Sequence, residues 1–111
     1  MRTLSTHVLD AATGHPAAGM RVTLEQRDAE GRWSSLGDGV TDADGRVRDL
    51  ASGGLDAGTH RLAFATGDYF TATGQAGFYP EVSVTFTVTD ERHYHVPLLL
   101  SPFAFSTYRG S

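Results

Sequence analysis

A chain of 111 residues is near the usual size of one domain, and residues 1–111 are expected to form a single one. Hydrophobic residues make up 40% and charged residues 20%, a globular balance, while a net charge of −4 with nine scattered basic residues excludes the clustered cations that nucleic acid requires. The absence of cysteine excludes disulfides, zinc–thiolate sites and thiol nucleophiles together, and no apolar run approaches the roughly 18 residues of a membrane span.

In chain order, Met1-Arg2-Thr3-Leu4-Ser5 shows no apolar stretch or cleavage site of a signal peptide, so a cytoplasmic location is expected. Leu4 to Asp10 alternates between two faces, with Leu4, Thr6 and Val8 on one and Ser5, His7 and Leu9 on the other, the pattern of a strand. Asp10 to Gly19 is turn chemistry, and Arg21 to Arg27 resumes the alternation with Val22 and Leu24 inward. The turn Asp28-Ala29-Glu30-Gly31 lets Trp33 to Val40 return as a hairpin partner. Thr41 to Arg46 turns again around Gly45, which is free to take a positive φ, and Val47 to Leu50 is at most a short strand.

Thr59 to Thr66 alternates with Leu62 and Phe64 on one face, and Asp68 to Thr73, bounded by glycines, predicts a helix of one to two turns starting near Thr66 or Asp68. Val82 to Thr89 is β-branched or aromatic at most positions and apolar at every even one, a half-exposed antiparallel strand. His93 to Leu100 and Ala104 to Tyr108 supply the last two strands. Pro97 removes a ladder donor and is expected at an edge or bulge. Seven or eight short strands with one polar face indicate two antiparallel sheets packed as a Greek-key sandwich, immunoglobulin-like or related.

The chemistry concentrates on a few residues. His7 shares a strand face with Ser5 and Leu9, and His95 shares one with Pro97 and Leu99; if those strands are neighbours, both imidazoles project from the outer face of one sheet. Every side-chain cation apart from histidine is an arginine, suited to planar, bidentate recognition of carboxylates and imides. His93-x-His95 is a spacing found among zinc ligands, with His7 as a third donor, but no neighbouring carboxylate offers outer-shell support. Asp42-x-Asp44-Gly45 lacks the remaining ligands of a calcium loop and reads as a turn. No Gly-x-Ser-x-Gly elbow is present, which leaves histidine acting on water as a general base with arginine holding substrate and developing charge. Leu9, Pro97 and Leu99 on the same face suggest that a second copy covers it.

Leu4-Ser5-Thr6-His7-Val8-Leu9-Asp10 with Gly14-His15-Pro16-Ala17, then Asp44-Gly45-Arg46, the block His93 to Pro102, and the closing Tyr108-Arg109-Gly110-Ser111 resemble the transthyretin-like hydrolases of urate breakdown. The resemblance spans essentially the whole chain. It implies an all-β transthyretin-like Greek-key sandwich of two four-stranded antiparallel sheets with one short helix. It also implies a homotetramer, a dimer of dimers with sites where two dimers meet. His7, Arg46, His95 and Ser111 are then the catalytic set, Tyr108, Arg109 and Gly110 bind substrate, and neither metal nor organic cofactor is expected. The implied reaction is hydrolytic opening of the ring of 5-hydroxyisourate, a small purine-derived substrate, with neither nucleic acid nor membrane as partner. His93 is not carried over as catalytic and is expected toward the rim.

Two other classes compete. A transthyretin-like carrier would use the same channel for an apolar ligand, but His7, Arg46 and His95 suit a polar substrate and bond cleavage. An immunoglobulin-like interaction domain would require secretion and usually a longer chain.

Overall fold

The computed structural model describes residues 1–111. Nine strands and one helix follow in order: β1 Thr3–Asp10, β2 His15–Pro16, β3 Arg21–Arg27, β4 Trp33–Val40, β5 Arg46–Val47, β6 Gly58–Phe64, α1 Thr66–Ala72, β7 Val82–Val88, β8 His93–Ser101 and β9 Ala104–Thr107. One sheet is antiparallel in the order β4-β3-β6-β7; the other runs β2-β1-β8-β9, with β5 also pairing β1. The two-sheet sandwich with one short helix is the architecture expected from the sequence.

Its details differ in two respects. The His15–Pro16 and Arg46–Val47 pairs lie along β1 and bring the first sheet to five strands, although the turn chemistry around them masks any strand pattern. β1 and β8 run parallel, not antiparallel, with Ser5 opposite His95, His7 opposite Pro97 and Leu9 opposite Leu99. Parallel neighbours need a long crossover, and here the segment between residues 10 and 93, which builds the whole of the second sheet, supplies it.

The core explains why these segments are strands. Leu4, Thr6 and Val8 of β1 are fully buried, as are Val22, Leu24, Leu62, Phe64, Leu98 and Leu100, and nineteen apolar residues form one cluster between the sheets. Full burial of each large aliphatic or aromatic side chain stabilises by roughly 1.5–3 kcal/mol, so the inner face fixes the register and the outer face is free to carry polar groups. Thr6 belongs inside because its hydroxyl donates to the Val96 carbonyl at 2.6 Å.

Asp10 closes the inner row of β1, buried yet satisfied. Its carboxylate accepts from Tyr69 Oη at 2.7 Å, Gln75 Nε2 at 2.9 Å and the backbone N–H groups of Ala12 and Thr13 at 3.0 and 3.1 Å. Burial works to raise its pKa, but the bonds from Gln75, Tyr69, Thr13 and Ala12 together hold it below the ordinary Asp value. Tyr69, buried and bound to that carboxylate, is pushed up to about 12. The helix is docked by Tyr69 and Phe70 rather than capped: Thr66 spends its hydroxyl on the Tyr79 carbonyl at 2.6 Å, and Ala65 occupies the N-cap. No helix is long and apolar enough to cross a membrane.

Pro97 is neither at an edge nor in a bulge. It lies within β8, between β1 and β9, and is buried. The fold accommodates it by ending a ladder there. Pairing with the C-terminal segment runs from Ser101↔Ala104 to Leu98↔Thr107, stops at the position that would face Pro97, and resumes as a single bridge at His95↔Gly110. The Pro97 carbonyl instead accepts from Thr107 Oγ1 at 2.7 Å.

Candidate active site

His7, Arg46 and His95 come together on the outer face of the five-stranded sheet. In-register partners share a face; His7 is flanked by Arg46 on one side and Pro97 on the other, and His95 sits diagonally from it, two residues before Pro97. With strands about 4.8 Å apart and a rise of about 3.3 Å per residue, such diagonal positions lie about 8 Å apart along the backbone. All three side chains are half-buried.

A tight turn delivers Arg46. The Asp42 carboxylate accepts from the backbone N–H groups of Asp44 at 2.9 Å and Arg46 at 3.0 Å, with the Arg46 bond first among the causes that lower its pKa. Gly45 has φ +76°, and any Cβ there would collide with the Val8 carbonyl, while Val8 N–H donates to the Gly45 carbonyl at 2.7 Å. Only glycine fits a positive φ at such close approach. The turn is thereby pinned to β1, so Arg46 arrives opposite His7. None of the ion pairs of the molecule involves Arg46, which leaves its guanidinium available to a ligand.

The environment sets the state of His95. Burial lowers its pKa most, the neighbouring Arg46, His7 and His93 lower it further, and a contact with Ser5 opposes them only in part. The imidazole is therefore neutral at neutral pH, the form in which it can take a proton from water. Its Nδ1 lies 2.8 Å from Ser5 Oγ, and Nε2 has no partner inside the protein.

The C-terminal segment closes around this histidine. Gly110 N–H donates to the His95 carbonyl at 2.9 Å, and a Cβ at Gly110 would strike the His95 ring. Tyr108 and Arg109, freed from the ladder by Pro97, line a cavity of about 340 Å³ together with Val84, Phe86, Tyr94 and His95. Arg109 places its guanidinium carbon 5.3 Å from the ring centre of buried Tyr94, in the cavity lined by residues of β7 and β8. Ser111 follows Gly110 and is exposed. His93 is exposed on the same face as His95, as expected, but both its ring nitrogens are engaged, by Thr3 and Ser5. Ser5 is the site residue that sequence reasoning missed: its parity was plain, but its place between two imidazoles depends on the parallel register.

The family model for HIUase/Transthyretin matches residues 4–110, nearly the whole of the chain. The chain belongs to the HIUase/Transthyretin family. Among its relatives it is 47% identical over 117 residues to the 5-hydroxyisourate hydrolase of Caulobacter vibrioides, covering 100% of both chains. Two solved members of the HIUase/Transthyretin family share its backbone. The 5-hydroxyisourate hydrolase of Klebsiella pneumoniae is 37% identical with a TM-score of 0.89 and 100% coverage of both chains. Sea bream transthyretin in complex with thyroxine is 36% identical with a TM-score of 0.92, covering 97% of this chain and 94% of that one. The fold of the HIUase/Transthyretin family thus hosts both a hydrolase and a thyroxine complex, and function must be decided by the side chains of the site.

Proposed function

We propose that this chain hydrolyses 5-hydroxyisourate to 2-oxo-4-hydroxy-4-carboxy-5-ureidoimidazoline in the breakdown of urate toward allantoin. One observation carries the reading: the face that holds His95 also holds His7 and an unpaired Arg46, on a chain 47% identical to a curated hydroxyisourate hydrolase along its full length. In this reading a neutral imidazole takes a proton from water as the oxygen attacks the ring carbonyl. Arg46 orients the planar substrate and stabilises negative charge on the tetrahedral oxygen, and the second imidazole assists proton transfer to the departing ring nitrogen. The chemistry needs no cofactor.

The likeness to a thyroxine-bound transthyretin favours a second reading, a carrier. Two imidazoles and a guanidinium on the binding wall speak against it, because an apolar aromatic ligand would leave them desolvated and unpaired.

We further propose a homotetramer in which a second dimer covers this face. Leu9 and Leu99 lie side by side there, partly exposed, and Phe103 stands 70% exposed at the adjoining turn, an apolar surface suited to a second copy. Hydroxyisourate freshly made from urate and urate oxidase provides the test. Its absorbance should decay far faster with the protein than spontaneously, and sizing of the same sample should give a tetramer. A decay equal to the spontaneous rate would refute the hydrolase.

A further inference from the structure

At one end of β1 and β8, hydroxyls and imidazoles form an unbroken hydrogen-bonded chain. Thr3 Oγ1 lies 2.7 Å from His93 Nδ1, His93 Nε2 lies 2.8 Å from Ser5 Oγ, and Ser5 Oγ lies 2.8 Å from His95 Nδ1. The parallel register creates it, setting Thr3 opposite His93 and Ser5 opposite His95 on one face. His93 is exposed at the outer end, and His95 is half-buried at the inner end.

A hydroxyl has one proton to give. Ser5, set between two ring nitrogens, can donate to one while it accepts from the other, and in that arrangement the chain has two polarities. In the first, His95 Nδ1–H donates to Ser5, Ser5 donates to His93 Nε2, His93 Nδ1–H donates to Thr3, and His95 Nε2 carries a lone pair. In the second every bond is reversed, and His95 Nε2 carries the proton. The first polarity makes His95 a base and the second makes it an acid.

We infer that Ser5 and His93 form a proton relay that sets the tautomer of His95 and connects it to solvent. The inference rests on the reading of His95 as a group at the reacting centre. When water attacks, His95 Nε2 takes its proton; the Nδ1 proton passes to Ser5, the Ser5 proton passes to His93 Nε2, and the His93 Nδ1 proton passes to Thr3, whose own hydroxyl proton goes to bulk water. The chain is then in the second polarity, with His95 Nε2–H positioned to protonate the departing ring nitrogen. As it does so, the relay runs backward: Thr3 regains a proton from solvent and the first polarity returns. The two transfers cancel, leaving the net addition of water across the C–N bond.

The charges around the chain give the outward transfer its direction. His7 on β1 and Arg46 on β5 face His95, and Arg109 lines the cavity that His95 also lines. The Arg46 charge disfavours a proton held on His95, whereas His93 is exposed, so a proton passed outward along the chain reaches solvent. Thr3, at the end of the chain, supplies the outermost acceptor.

The test uses Ser5→Ala, Ser5→Thr and His93→Gln in the full chain, with His95→Gln as the reference. Ser5→Ala and His93→Gln should lower kcat by about tenfold or more with KM little changed. Ser5→Thr should restore most of the rate, and added imidazole should rescue His93→Gln. The proton inventory in mixed light and heavy water should be curved in the wild type, as several protons move together, and straight in Ser5→Ala. The nitrogen-15 shifts of His95 in the free protein should show one tautomer in the wild type and a mixture in Ser5→Ala. Wild-type kcat in Ser5→Ala and His93→Gln beside an inactive His95→Gln would overturn the relay and leave the site standing. Loss of rate without rescue and with an unchanged inventory would also overturn it, as a merely structural effect. Full activity in His95→Gln would instead remove the site reading itself.

Discussion

Replacing Gly110 by alanine tests how the C-terminal segment acts on His95. The added Cβ would clash with Cδ2 of the His95 ring and also crowd Cγ, at 3.1 Å, and Cβ, at 3.2 Å. The backbone cannot simply retreat, because Gly110 N–H is bonded to the His95 carbonyl at 2.9 Å. The imidazole must therefore swing, and a departure of about 30° from its rotamer costs roughly 0.5–1.5 kcal/mol. That is a small loss of stability, lowering Tm by no more than about 5–10 °C. The effect on rate should be larger, because the swing breaks the bond to Ser5 and moves Nε2 by on the order of 1 Å, a misplacement that can cost about a hundredfold. Gly110→Ala should thus remain folded by circular dichroism, melt slightly early and lose about 10²-fold in kcat. Wild-type kcat in a folded Gly110→Ala would refute the argument that a bare backbone at this position sets the histidine.

Three further outcomes follow from the titratable groups. Asp10→Ala removes a buried carboxylate that accepts from Tyr69 and Gln75; with hydrogen bonds to charged groups worth roughly 1.5–3 kcal/mol each, it should destabilise by about 3 kcal/mol, read as a shift in the urea midpoint. Because the folded pKa of Asp10 is depressed, its contribution is full above the ordinary Asp value and is lost as pH falls through the lower folded value, so the variant should lose less stability than the wild type over that acid range. His60 is buried with Nε2 unpartnered, and burial lowers its pKa. The unfolded chain therefore binds the extra proton first and stability falls as pH drops below about 6.5, whereas His60→Leu should be neutral or stabilising in urea titrations and lose that part of the slope. Finally, kcat/KM for hydroxyisourate should fall as pH drops, with a midpoint below the ordinary histidine value because burial, and then the neighbouring Arg46, His7 and His93, oppose protonation of His95.

Much of this was legible from single strands. The alternation in Leu4 to Asp10 and His93 to Leu100 assigned His7 and His95 to the outer face correctly, because burial of Leu4, Val8 and Leu98 leaves no other parity. Gly45 marked the turn that presents Arg46. What escaped was set by distant pairing. Ser5 meets His95 only through a register linking residues 90 apart, and nothing local to either strand specifies it. Pro97 suggested an edge because the missing donor was visible while the place where the last ladder ends was not. Arg109 belongs to the same lesson: its departure toward Tyr94 follows from the break at Pro97, eleven residues upstream in the β8–β9 hairpin.

The central claim is that two imidazoles on one sheet face, beside a guanidinium, carry out hydrolysis. Its most direct measurement is kcat/KM for fresh hydroxyisourate with the wild type, His7→Ala and His95→Ala, each shown to be folded and of unchanged size. Each substitution should cost about 10²-fold or more. Folded variants that both retain the wild-type value would contradict it.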